Sequence, residues 1–178
     1  MGHKVIAVDI DQRKVNALNQ GRVSCVESKL KALLKQERRL NNLFASLDLH
    51  HAILNTDLSM VRIGSSCLQK ATVDSYNMTT IIENISTTLR TKQGFHLIIF
   101  CQPTSRADIQ NFIGTDIEQS TGKILGKDSG LCFVPMVFSE HQALSDFYSL
   151  PNMTITASDK RSEILVGKLF NGFNNKIR

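Results

Sequence analysis

The apolar residues of this chain change their spacing again and again, and that switching limits the possible folds more than any other property. Residues Val5–Asp9 read as a strand. Asp11 then opens a helix with Val15 and Leu18 facing inward and Gly21 as its stop. Leu30, Leu33 and Leu34 mark a second helix, Asp48–Leu54 a short one, and Leu58–Ile63 a strand ending at Gly64. Met78, Ile81, Ile82, Ile85 and Leu89 recur at the spacing of a single helical stripe. The all-apolar run Leu97–Phe100 has the character of a parallel strand covered on both faces. Ile109, Phe112, Ile113 and Ile117 give another helix, Leu131–Val134 a strand, Gln142–Tyr148 a helix, Met153–Thr156 a strand and Ile164–Phe170 a last helix. Strands alternating with helices of this length predict an α/β fold with a parallel sheet and right-handed crossovers.

The length, 178 residues, and a 42% hydrophobic content suit one soluble domain over residues 1–178 that buries its core without staples. The formal charge of +5 is mildly basic. Its densest run, Lys35–Arg39, reads as the solvated end of a helix, where cations oppose the C-terminal dipole, so no nucleic-acid partner is expected. Cys25, Cys67, Cys101 and Cys132 form no C-x-x-C pair, and Cys101 and Cys132 sit in apolar runs as buried, reduced thiols. Neither a signal peptide nor a bilayer-length apolar run is present, so a cytoplasmic chain without a membrane partner is expected, and its N-x-S/T sequons carry no meaning there.

Three short signatures fail on their chemistry. The stretch GKILGKD at 122–128 is one residue short of a P-loop, and Asp128 stands where a hydroxyl must hold magnesium. GKDSG lacks the spacing of a nucleophile elbow. His50 and His51 are adjacent, and neighbours on a helix point about 100° apart, so no metal site is expected. Asp9 is different: an acid closing an apolar strand and followed by a helix is how the second strand of a dinucleotide-binding fold ends. There a carboxylate accepts the adenosine-ribose hydroxyls of NAD and repels the extra phosphate of NADP. Either Asp9 or Asp11 can equally be a helix cap.

The surroundings of Asp9 extend the pattern. GHKVIAVDIDQRKVNALNQGRVSCVESKL, DLHHAILNTDLSMVRIGSS, STGKILGKDSGLCFVPMVFSEHQALSDF and PNMTITASDKRSEIL together resemble the UDP-glucose/GDP-mannose 6-dehydrogenases over nearly the whole chain. The resemblance implies a Rossmann-like, doubly wound parallel sheet and NAD as cofactor. It also implies oxidation of a nucleotide sugar at C6 through a cysteine thiohemiacetal and thioester. Asp9 and Lys14 match the family's adenosine-ribose contacts, Ser65 the cofactor-touching threonine, and Glu140 a carboxylate lining the sugar-nucleotide site.

The departures from that pattern are equally specific. The first strand and its G-x-G-x-x-G turn, roughly 20 residues in this fold, would precede Met1, and their N–H groups hold the pyrophosphate. Pro103 stands at the catalytic threonine, Met136 at the glutamate acting on water and Val134 at an asparagine; neither Pro nor Met can move a proton. The family's catalytic lysine and nucleophilic cysteine lie beyond Arg178, so no catalytic residue is assigned. Arg62 falls mid-strand in this reading, where an unpaired buried charge costs several kcal/mol unless the side chain snorkels out or finds a carboxylate. The expectation is a truncated NAD-binding domain, inactive alone. The alternative is a non-catalytic interaction module that pairs with itself or with an intact relative. Without its first strand, Val5–Asp9 is expected to re-pair with Leu58–Ile63 or to be poorly held, leaving a marginal monomer.

Overall fold

The short apolar run after Lys4 becomes β1 (Val5–Val8), and it pairs in parallel with β2 (Leu43–Ser46), Val5 opposite Leu43 and Val8 opposite Ser46. The computed structural model describes residues 3–22, 27–62, 71–101, 107–136, 142–148 and 155–170, with the backbone alone for 71–78 and 107–112. They fall into two units, Met1–Ala52 with Phe138–Ser149, and Ile53–Val137 with Leu150–Arg178.

In the first unit, β1 leads into α1 (Gln12–Asn19) and α2 (Ser28–Arg39) precedes β2. Both helices stop on a left-handed residue, Gly21 at φ 69° and Asn41 at φ 56°. At each stop the next two N–H groups reach back, Gly21 to the Leu18 carbonyl and Arg22 to that of Ala17, Asn41 to Arg38 and Asn42 to Glu37. The expected re-pairing of β1 with the strand at residue 58 does not occur. Its partner is β2, which the apolar pattern did not mark. Four residues with one buried side chain, Ala45, leave no periodic signal. The short helices α3 (Leu49–Leu54) and α6 (Ala143–Tyr148) complete the elements before residue 58 and near residue 145.

The second unit holds a four-stranded sheet ordered β3 (Leu58–Val61), β4 (His96–Phe100), β5 (Ser129–Phe133), β6 (Thr156–Ala157). The first three strands are parallel, and every residue of β4 and β5 is buried, as a sheet covered on both faces requires. The edge strand β6 runs antiparallel, Cys132 opposite Ala157, a departure from the all-parallel expectation that mixed sheets make at their edges. Helices α4 (Ala71–Thr91), α5 (Ala107–Thr121) and α7 (Lys160–Phe170) bury Ile82, Ile85, Leu89, Ile113, Ile117, Val166 and Phe170. Each such side chain stabilises by about 1.5–3 kcal/mol. The first unit fully buries only Val15, Ala45 and Ala52 among its described apolar residues, so its own core is far smaller.

The loop 122–128 is a connection between α5 and β5, not a phosphate cradle. Gly122 and Gly126 take φ of 70° and 86°, and the Asp128 carboxylate accepts the Ile124 N–H at 3.1 Å. Arg62 lies just beyond the end of β3 and is exposed, so of the outcomes open to it the buried, unpaired charge does not arise.

Candidate active-site turn after the first strand

The turn from β1 into α1 gathers two carboxylates and two cations within six residues. Asp11 is the helix cap: its Oδ1 accepts the Arg13 N–H at 2.8 Å, and its carboxylate also pairs with the Arg13 guanidinium at 2.8 Å. Hydrogen bonds from the Arg13 side chain and backbone hold the Asp11 carboxyl down at about 2. The capping role is therefore that of Asp11 and not of Asp9. Its N–H continues the ladder to the Ser46 carbonyl at 3.3 Å, so the sheet fixes where it stands. Its Oδ1 accepts the Asp11 N–H at 2.9 Å and its Oδ2 faces Lys14 Nζ at 3.3 Å. The Asp9 side chain is 39% exposed and that of Lys14 69% exposed, so both reach solvent. Each carboxylate oxygen keeps a further lone pair for an incoming hydroxyl. Ile10, between the two acids, is 99% exposed and offers an apolar surface beside them.

Thus the structure brings together Asp9 and Lys14 of the residues singled out from sequence. Ser65 and Glu140 lie outside the described residues, as does Pro103. Met136 is described and is buried at 4% exposure, an apolar side chain with no proton to give. Cys101 and Cys132 are buried free thiols, pushed up to about 11 and about 12 by burial, which removes them as nucleophiles. No group of three side chains suited to a metal occurs among the described residues. None of the described helices is long and apolar enough to cross a membrane.

One polar cluster escaped the sequence reading. Lys92, buried at the end of α4, donates from Nζ to the carbonyls of Ile53, Leu54 and Thr56 at 2.8, 3.1 and 2.9 Å. Burial lowers its pKa against the pull of Asp57. His96, fully buried, meets the Thr56 carbonyl through Nδ1 at 3.1 Å and the Ser59 hydroxyl through Nε2 at 2.9 Å. A carbonyl only accepts, so Nδ1 carries the proton and Nε2 receives that of Ser59. Burial, with Lys92 nearby, drops the His96 pKa to about 4. The cluster lies at the amino ends of β3 and β4, whereas ligands of open α/β sheets bind at the carboxyl ends. Its work is to hold the segment entering β3. The only sequence signal was a histidine opening an otherwise apolar strand.

Comparison with known proteins identifies the family and the fold. The sequence profile of the UDP-glucose/GDP-mannose dehydrogenase family, NAD binding domain, matches residues 1–174. GDP-mannose 6-dehydrogenase of Pseudomonas aeruginosa is 29% identical over 170 residues, covering 95% of this chain and 39% of that protein. UDP-glucose 6-dehydrogenase of Haloferax volcanii is 26% identical over 170 residues, covering 96% and 39%. A crystal structure of a ternary complex of the Pseudomonas GDP-mannose dehydrogenase superposes with a TM-score of 0.89 at 28% identity, over 99% of this chain and 40% of that one. A UDP-glucose dehydrogenase from Pyrobaculum islandicum shares the fold, with a TM-score of 0.85 at 19% identity. The present chain therefore spans about two fifths of the relatives it matches. With a Rossmann-type sheet, an exposed acid closing its first described strand and a family match over nearly its full length, the chain belongs to the UDP-glucose/GDP-mannose dehydrogenase family, in its NAD-binding domain.

Proposed function

We propose that this chain provides the adenosine end of an NAD site in a nucleotide-sugar 6-dehydrogenase acting on GDP-mannose or UDP-glucose, and that these 178 residues alone do not oxidise the sugar. The observation carrying the reading is the exposed Asp9 carboxylate, fixed by the β1–β2 ladder and flanked by Lys14 at 3.3 Å. Such a carboxylate accepts both hydroxyls of a ribose, and Lys14 beside it helps to orient it. Ile10 supplies an apolar surface on which the adenine can rest. When bound, NAD would supply the hydride acceptor; this chain's residues bind and orient its adenosine half. By the sequence resemblance, Ser65 would touch the cofactor and Glu140 would line the nucleotide-sugar site.

Two features support inactivity of the chain by itself. The 178 residues contain no G-x-G-x-x-G turn, whose N–H groups would neutralise the pyrophosphate. The buried Met136 occupies the position at which the family resemblance places an acid–base glutamate. Calorimetric titration of the chain with NAD tests the reading. Binding weaker than about millimolar is expected, with a further loss in Asp9→Ala. Micromolar binding abolished by Asp9→Ala would show a complete site, and NADH production tracking the pure chain would overturn its inactivity.

A further inference from the structure

The turn that carries Asp9 also holds an ion pair that the capping of α1 does not require. A cap needs one oxygen, and Asp11 Oδ1 already accepts the Arg13 N–H at 2.8 Å. The same carboxylate nevertheless takes the Arg13 guanidinium with both oxygens, Oδ1 from Nε at 3.1 Å and Oδ2 from Nη2 at 2.8 Å. That is the two-point grip by which an arginine fork holds a carboxylate or a phosphate. The Arg13 side chain is 91% exposed, and an ion pair so open to water adds little stability. Its consequence is where the cation is kept.

Asp9 Oδ1 accepts the Asp11 N–H at 2.9 Å, so two consecutive hydrogen bonds link Asp9 to Arg13. The four charges of the turn cancel in two pairs, Lys14 with Asp9 at 3.3 Å and Arg13 with Asp11 at 2.8 Å. Hydrogen bonds from Arg13 hold the Asp11 carboxyl at about 2, so that pair stays charged throughout the neutral range. A ribose with a free 2′-hydroxyl brings no charge and suits a turn balanced in this way. A ribose bearing a 2′-phosphate brings about two negative charges, and it meets a repelling Asp9 with both cations already engaged.

On the reading that Asp9 takes the adenosine ribose, we propose that Asp11 is a second determinant of cofactor choice: by holding Arg13 it denies the guanidinium to a 2′-phosphate and favours NAD over NADP. Arg13 is the group of the turn best suited to that phosphate, because its fork can take two oxygens at once. Asp11 acts through Arg13 and is a positioning residue. Its carboxylate is fixed by the cap and by its own N–H on Asp9, so only the guanidinium has to move.

The test compares adenosine with adenosine 2′-monophosphate, neither of which needs a pyrophosphate cradle, titrated into the whole chain and followed by amide NMR at Asp9, Asp11 and Lys14. Asparagine caps a helix about as well as aspartate, so Asp11→Asn keeps α1 while releasing Arg13. The ratio of the two affinities is expected to move toward the phosphate by at least about tenfold in Asp11→Asn, and to return in Asp11→Asn/Arg13→Ala. A ratio unmoved by Asp11→Asn overturns the proposal, as does a gain that survives the loss of Arg13. Adenosine binding that vanishes in Asp9→Ala upholds the ribose reading by itself, so an unmoved ratio then condemns the role of Asp11 alone. Adenosine that leaves the Asp9 amide of the unaltered chain undisturbed removes both.

Discussion

The side-chain amide of Asn19 takes both backbone groups of Ala45, donating from Nδ2 to its carbonyl and accepting its N–H on Oδ1, each at 2.8 Å. A residue at the end of α1 thus serves as a one-residue strand along the outer edge of β2. Arg38 extends the closure by donating to the Leu43 carbonyl at 3.1 Å. In a parallel ladder alternate residues face opposite edges, and here Asn42 and Ser46 face β1 while Leu43 and Ala45 face Asn19 and Arg38. Replacing Asn19 by alanine should destabilise the first unit by about 1–3 kcal/mol, the cost of leaving those groups unpaired. Urea unfolding of Asn19→Ala against the parent chain measures it, and an unchanged midpoint would show that water closes the edge as well.

Stability should fall in mild acid on account of His96. Its pKa is about 4 when folded and 6.5 when exposed, so the unfolded chain binds the proton more readily. The contribution is complete above the unfolded value and lost as pH falls from 6.5 toward 4, on the order of 3 kcal/mol in all. Thermal melts across that window should show a steeper loss for the parent chain than for His96→Gln.

Gly130 should tolerate no side chain. A Cβ there would lie 2.0 Å from Ser162 Oγ and 2.8 Å from the Phe95 ring, and Ser162 is held in place by Asp159 at 2.6 Å. Phe95 is in turn covered by the Arg161 guanidinium, 3.7 Å from the ring centre. Gly130→Ala is expected to cost about 1–3 kcal/mol through overpacking. Adding Ser162→Gly should return only part of that, because Phe95 still blocks the space; full recovery would make Ser162 the sole obstacle.

Thiol reagents should find Cys101 and Cys132 closed. Burial both shields the sulfurs and holds them protonated at neutral pH. Mass spectrometry after alkylation should show these two modified only once denaturant is added. Modification under native conditions at the rate of a free thiol would place them at the surface.

Elements covered on both faces were legible in the sequence, because burial writes a continuous apolar run or a clean stripe. Leu97–Phe100 and the stripe ending at Leu89 are of this kind. α7 begins at Lys160, four residues before its apolar stripe, because Asp159 caps it through the Ser162 N–H at 2.9 Å, a polar signal the stripe does not contain. β2 went unread because its hydrogen bonds come from β1 and from Asn19, 26 residues away. At the site, Asp9 was legible as a carboxylate after a strand, but which acid was the cap depended on the Arg13 backbone, and only coordinates decide that. Lys92 reads as an ordinary surface lysine until three carbonyls are seen around it.

The thin core around Asp9 bears on how any ligand there would be felt. Opening of a segment is governed by the apolar area it buries, so β1 and β2 should exchange their amide hydrogens far faster than β4 and β5. A molecule bound at Asp9 and Lys14 adds its binding free energy to the closed form of that weak unit. Cofactor occupancy would then be written as slowed exchange at the amides whose ladder carries Asp9, with Ser46 as the acceptor of its N–H. A site at Asp9 and Lys14 would in that sense be a brace: what it held would also keep its own walls folded.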